Sequence, residues 1–165
     1  MGTKFIQFTI LVTLSIYLLS CGGKKEKEQK LSLEPNLEEI EPNNRLSQAQ
    51  LVTDGTIVKG FINEKMDQDW YKISLPQDSS AILKAELTGI PDINLKMELF
   101  DEDNALLLEV NRYKEGEGEM IPDFWLKPGN TFIRVRELWL KGKEKKFNDT
   151  TAYNLRIYLS KVTPD

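Results

Sequence analysis

Ile93-Asn94-Leu95-Lys96-Met97-Glu98-Leu99 sets an apolar side chain at every second position, with Asn94, Lys96 and Glu98 between them. Successive side chains of an extended chain point to opposite faces, so this alternation describes a strand with one face on a core and one toward water. The pattern recurs on both sides. Tyr71, Ile73 and Leu75 alternate within Asp69 to Leu75, and Tyr153, Leu155, Ile157 and Leu159 alternate with Asn154, Arg156, Tyr158 and Ser160. Further strands are predicted at Thr56 to Ile62, Ala81 to Leu87, Ala105 to Val110, Glu119 to Leu126 and Thr131 to Leu138. Turn residues punctuate them at Asp54-Gly55, Pro76-Gln77-Asp78, Gly89-Ile90-Pro91-Asp92, Asp103-Asn104 and Pro128-Gly129-Asn130. About eight short strands at this spacing, with no long helical period, predict an all-β domain, an antiparallel jelly-roll-like β-sandwich. One helical turn is expected around Arg45 to Leu51. Trp70 and Trp125 fall in strand-like segments and are expected to pack in the core or at an edge.

Upstream of this domain the chain changes character. Met1 to Lys4 is short and positively charged, and Phe5 to Leu19 is apolar apart from Gln7, Thr9, Thr13 and Ser15. That stretch is shorter than the roughly 20 apolar residues of a membrane-spanning helix, and its parts are those of a secretory signal. It ends in Leu18-Leu19-Ser20-Cys21-Gly22, which resembles the bacterial lipobox. Cys21 is the sole cysteine, and acylation consumes a thiol that would otherwise be unpaired in an exported protein. Residues 1–20 are therefore expected to be a lipoprotein signal peptide, with a covalent lipid on Cys21. Each buried CH₂ contributes about 0.8 kcal/mol, so several acyl chains would hold the protein on a membrane. The expected address is the cell envelope, on a bacterial membrane, the outer one where a cell has two.

Gly22 to Glu39 (GGKKEKEQKLSLEPNLEE) carries charges of both signs and only scattered apolar residues. It cannot bury enough surface to fold alone and is expected to be a flexible tether over residues 21–39, holding the domain about 25 Å from the bilayer. The domain proper is expected over residues 40–163. The whole chain has 22 Lys plus Arg against 26 Asp plus Glu, a net charge of −4, and no histidine. This balance argues against nucleic acid as a partner, since such binders show a basic stripe. Without histidine there is no Ser-His-Asp or Cys-His catalysis and no His-ligated zinc. Glu117 and Glu119 form the kind of carboxylate pair a glycosidase uses, but nothing else marks a cleft around them.

Five segments, in order, resemble the bacterial pre-peptidase C-terminal domain, a β-sandwich module appended to secreted proteases and collagenases. They are Glu41-Pro42-Asn43-Asn44 with Ala49; Gly60 with Asp67-Gln68-Asp69-Trp70-Tyr71-Lys72-Ile73; Asp92-Ile93-Asn94-Leu95 through Leu99-Phe100-Asp101; Leu126 to Val135; and Tyr153-Asn154-Leu155-Arg156-Ile157. Asn94 and Phe132 depart from the family's usual acidic residue and tyrosine. The segment Leu138 to Thr151 lengthens the final hairpin, and these 165 residues include no protease domain beside the module.

Some members of that family bind calcium through the acidic start and the D-x-D strand. Ca²⁺ takes six to eight oxygen ligands. Glu39, Glu41, Asn43 and Asn44 offer oxygens in one segment, and Asp67 and Asp69 offer two more carboxylates. The resemblance implies that these two segments pack side by side and that the six groups converge. In the competing reading Glu-Pro-Asn-Asn is a turn and helix cap, and Asp67 and Asp69 are solvated. Trp139, Lys141, Lys143, Lys145 and Lys146 form a second candidate site, an aromatic with a lysine cluster on a long loop. It suits an acidic partner, a glycan or a lipid headgroup, against an ordinary solvated loop tip. The expected function is a non-catalytic binding or adhesion module for a protein, collagen-like or polysaccharide ligand. The alternative is an accessory envelope lipoprotein that stabilises a partner.

Overall fold

The chain divides into two units, Met1–Leu31 and Ser32–Asp165. A computed structural model describes residues 34–162, all within the second unit. The signal peptide, Cys21 and the tether lysines Lys24, Lys25, Lys27 and Lys30 lie outside the described residues.

Ten strands form two sheets: β1 (Leu37–Glu38), β2 (Gln50–Leu51), β3 (Ile57–Ile62), β4 (Gln68–Leu75), β5 (Ser80–Leu87), β6 (Leu95–Asp101), β7 (Leu106–Val110), β8 (Glu119–Leu126), β9 (Gly129–Glu137) and β10 (Asn148–Val162). One sheet runs β1-β3-β10-β5-β8 and the other β2-β4-β9-β6-β7. From β3 onward, strands are distributed between the sheets in jelly-roll order, and each of these eight pairs antiparallel with its neighbours. The two-residue strands β1 and β2 add parallel edges, to β3 and β4. The Gln50 side chain joins them, donating to the Glu38 carbonyl and accepting from the Ile40 N–H, each at 2.9 Å. β1 thus lies within the stretch read as tether, because Leu37 and Glu38 find a free edge on β3. The expected helical turn is a short 3₁₀ turn, Leu46–Gln48.

The alternation does what it predicts on the inner faces. Tyr71, Ile73, Ile93, Leu95, Met97, Leu99, Tyr153, Leu155 and Ile157 are all buried between the sheets. The outer face of β6 departs from the expectation, since Lys96 and Glu98 are buried as well. Glu98 receives Arg134 Nε at 2.7 Å, Arg136 Nε at 3.0 Å and Lys96 Nζ at 2.8 Å. Burial opposes its charge, but the hydrogen bonds from Arg134, Arg136 and Lys96 outweigh it and hold the carboxyl at about 2. Beside this network Trp70, Phe100 and Phe132 form a second apolar cluster, with Leu46 and Ala49 packed on it. Trp125, by contrast, sits on edge strand β8 with 52% of its surface exposed.

The segment between β9 and β10 is not a hairpin. β9 and β10 lie in different sheets, so residues 138–147 carry the chain from one sheet to the other. Strong alternation at both ends identifies two strands, but it carries no information on which sheet each joins.

Candidate metal centre

At one end of the sandwich β3 leaves its sheet and residues 63–67 cross to β4. Asp67 and Asp69 share the parity of Tyr71 and Ile73, so both carboxylates face inward, and they are 1% and 0% exposed. The competing reading of solvated aspartates is thereby corrected. The Glu41–Pro42 bond is cis, and the segment it belongs to closes over this end. The Asn43 carbonyl accepts the Trp70 N–H at 3.1 Å, and Glu39 N–H donates to the Lys59 carbonyl at 3.0 Å. Glu39 is thereby fixed beside β3 and Asn43 beside β4.

One carboxylate oxygen from each of Glu39, Glu41 and Asp69 comes within 4.8 Å of the others. Asn43 is fully buried, with its amide oxygen turned toward Asp69 Oδ1 and Glu41 Oε2. Turned over, the amide nitrogen would donate to both at 3.1 Å. In that orientation the amide satisfies both carboxylates, and Glu41 Oε2 also accepts the Asn43 N–H at 2.9 Å; the cluster is still made of oxygen donors, the kind a hard cation takes. Glu39 Oε1 accepts the Phe61 N–H at 2.8 Å, while Glu39 Oε2 is buried without a hydrogen-bond partner. Asp67 Oδ2 accepts the Asn63 N–H at 2.8 Å, and its Oδ1 is likewise buried and unpartnered. Burial, reinforced by Glu41 and Asp67, pushes Glu39 up to about 7 against the opposing hydrogen bond from Phe61. Burial and then the charges of Glu39 and Asp67 push Asp69 well above the carboxylate range. Unsatisfied buried oxygens and crowded like charges are what a cation would relieve, so the residues fit Ca²⁺. With all-oxygen donors and no histidine, they do not suit zinc.

The six candidate ligands do not all converge. Asn44 Oδ1 accepts the Gln68 N–H at 3.0 Å and the Asn44 carbonyl accepts Gln68 Nε2 at 3.1 Å, so this residue clasps β4. Asp67 is outside the three-carboxylate group but near enough that its charge acts on Glu39 and Asp69, and its Oδ1 is buried without a partner. The structure adds a hydrogen-bond chain beneath the cluster. Tyr153 Oη donates to Asp69 Oδ2 at 2.6 Å and lies 2.6 Å from Tyr71 Oη. The parity of Asp69 with Tyr71 was the available sign that polar and apolar groups meet on this face. Gly60 is required for the same approach: a Cβ there would lie 2.7 Å from Glu39 Oε2 and against the Tyr153 hydroxyl.

The Trp139 loop sits at the same end, joined to the 63–67 crossing by the Lys65–Glu144 ion pair. Trp139 is half-buried, with the Arg136 guanidinium 4.5 Å and Lys145 Nζ 4.1 Å from its ring. Lys146 pairs with Glu115 and donates to the Asp92 carbonyl. Lys141 and Lys143 are exposed. A cleft of about 360 Å³ lies against Trp139, Lys143 and Lys145. Elsewhere, Glu119 accepts the Arg112 and Tyr113 N–H groups and Glu117 the Lys114 N–H, so the Glu117–Glu119 pair shapes a loop.

No family model and no curated protein sequence matches the chain. Among solved structures it is similar to the pre-peptidase C-terminal domain of a collagenase from Bacillus anthracis. That likeness has 18% identity and a TM-score of 0.52, covering 70% of this chain and 99% of that one. A Paenibacillus cycloisomaltooligosaccharide glucanotransferase, solved with cycloisomaltoheptaose, aligns at 18% identity and a TM-score of 0.34, over 61% of this chain and 14% of its own. The first likeness supports a pre-peptidase C-terminal-like sandwich; the second is too loose to bear on the fold.

Proposed function

We propose that the chain is a membrane-anchored lipoprotein displaying a non-catalytic β-sandwich binding module, with calcium held at the Glu39 end. The observation behind this reading is where the reactive groups go. The carboxylates that converge do so without histidine or cysteine beside them, and they lie where the entering chain meets the sandwich. Other buried carboxylates are engaged by guanidinium groups or loop amides, as Glu98 and Glu119 are. Glu39, Glu41, Asn43 and Asp69 would hold the ion, with Asp67 beside them. A bound calcium would supply positive charge to a site that otherwise repels itself, fastening the Glu39–Asn43 segment to β3 and β4. Lys141 and Lys143 on the Trp139 loop are the contact groups proposed there for an acidic or glycan ligand.

Two experiments test the parts separately. Cys21→Ala should release the protein from the membrane fraction, and unchanged retention would remove the anchor. Pull-down from envelope extract, alongside a panel of collagen-like and polysaccharide ligands, should give a ligand on the panel. A stable complex with one envelope protein and no panel ligand would instead favour an accessory role.

A further inference from the structure

The end of the sandwich opposite the carboxylate cluster carries a second constellation. There the β6–β7 turn and the β8–β9 turn enclose a groove of about 270 Å³ lined by Leu107, Trp125, Glu102 and Asp103. Both edge strands are bulged beside it. Leu106 and Leu108 pair with Phe100 and Leu99, leaving Leu107 as the extra residue, and Pro122 and Asp123 together oppose Lys84. Bulges at sheet edges re-aim side chains. Leu107 and Trp125 remain 43% and 52% exposed.

The other two tryptophans show what is missing at this one. Arg134 lies 5.0 Å from the Trp70 ring, and Trp139 carries both Arg136 and Lys145. Among the described residues no cation is seated on Trp125. Yet its surroundings suit one, since Asp101, Glu102 and Asp103 line the groove against a single lysine, Lys127. The Asp101 carboxylate holds the turn by accepting the Asp103 and Ala105 N–H groups, which leaves Glu102 and Asp103 facing solvent. Neither is ion-paired among the described residues.

We infer that this groove docks a basic segment of a protein partner, an arginine or lysine seated over Trp125, paired by Glu102 and Asp103, its aliphatic stem against Leu107. A cation over an indole gains from the ring's quadrupole, and the alkyl stem of a long basic side chain covers apolar surface. Carboxylates beside the ring fix the guanidinium or ammonium in register. An anionic ligand would be repelled here.

The inference rests on reading the chain as a binding module and names the chemistry of one partner. Its test is fluorescence anisotropy of a labelled peptide of alternating arginine and glycine, titrated with the full chain. The peptide should bind, more weakly as salt rises, and a peptide of alternating glutamate and glycine should not. Trp125→Ala should weaken binding about tenfold. The Glu102→Gln, Asp103→Asn double variant should weaken it several-fold and flatten the salt dependence. Both changes are at exposed positions, and an unchanged melting temperature confirms the fold. Binding that ignores Trp125 overturns the groove while leaving a binding module standing. No binding of the peptide overturns the groove directly. Cellohexaose changing the tryptophan fluorescence of the parent but not of Trp125→Ala, where the arginine peptide does not bind, would replace it with a glycan site.

Discussion

Tyr153 on β10 and Asp69 on β4 belong to opposite sheets, and the Tyr153 hydroxyl donates to Asp69 Oδ2 across the sandwich at 2.6 Å. The bond continues to Tyr71, so the carboxylate cluster is wired into the core rather than set upon it. Tyr153→Phe leaves both the Asp69 oxygen and the Tyr71 hydroxyl without this partner, at a cost of about 1–3 kcal/mol. Tyr71→Phe removes only the terminal hydroxyl and should cost less. Urea unfolding of the two variants checks the order; equal costs would show that the chain does not act as a unit.

Gly60→Ala places a methyl against Glu39 and Tyr153 where neither can retreat without leaving its partner. Overpacking of this kind costs about 1–3 kcal/mol. The same methyl displaces Glu39 from the cluster, so calcium titration calorimetry should show weaker binding than in the parent. A variant that is less stable yet binds calcium normally would separate packing from the metal centre.

Calcium and protons should compete at Glu39. Its carboxyl is raised from 4.5 to about 7, so the contribution of the protonated form is fully present below pH 4.5 and lost as pH rises through about 7. In chelator, melting temperature should therefore fall across that window. Calcium binds the deprotonated form, and its stabilising effect should grow over the same range, reaching about 5 °C or more at saturation. Melting curves with and without calcium that coincide at every pH would sink the metal reading.

Glu98 has the opposite sign. Held at about 2 in the fold against an ordinary 4.5, it contributes stability present above pH 4.5 and lost as pH falls toward 2, about 3 kcal/mol in all. Glu98→Gln at neutral pH leaves Arg134 and Arg136 facing a neutral amide, with Lys96 keeping only Glu109 at 2.9 Å, and should cost about 3–5 kcal/mol. Guanidinium unfolding of the variant measures it, and a loss under about 1 kcal/mol would mean that solvent and Glu109 compensate the cations instead.

The strands were legible because burial on one face leaves a period of two, as in Tyr153, Leu155 and Ile157. That same rule mislabels Lys96 and Glu98, because alternation reports polarity and not burial, and ionic partners on neighbouring strands let charged groups be covered. Arg134 and Arg136 are far from Glu98 in sequence, so only strand order discloses the network. The closing hairpin failed for a similar reason: sheet membership depends on how strands pair, which side-chain pattern does not encode. At the carboxylate cluster, the family resemblance implied that the two segments meet, and parity could have shown Asp69 facing inward. It could not show that Asn44 would turn to Gln68, since that depends on the register between a loop and a strand.

The two-residue strands β1 and β2 cap one flank of the sandwich, and the bulges in β7 and β8 distort the other. A flat, open strand edge is a template on which another chain can extend a sheet without limit, and short, twisted or interrupted edges block it. Neither flank here offers such a template among the described residues. Short edges on one flank and bulged edges on the other therefore disfavour sheet-to-sheet extension from this domain.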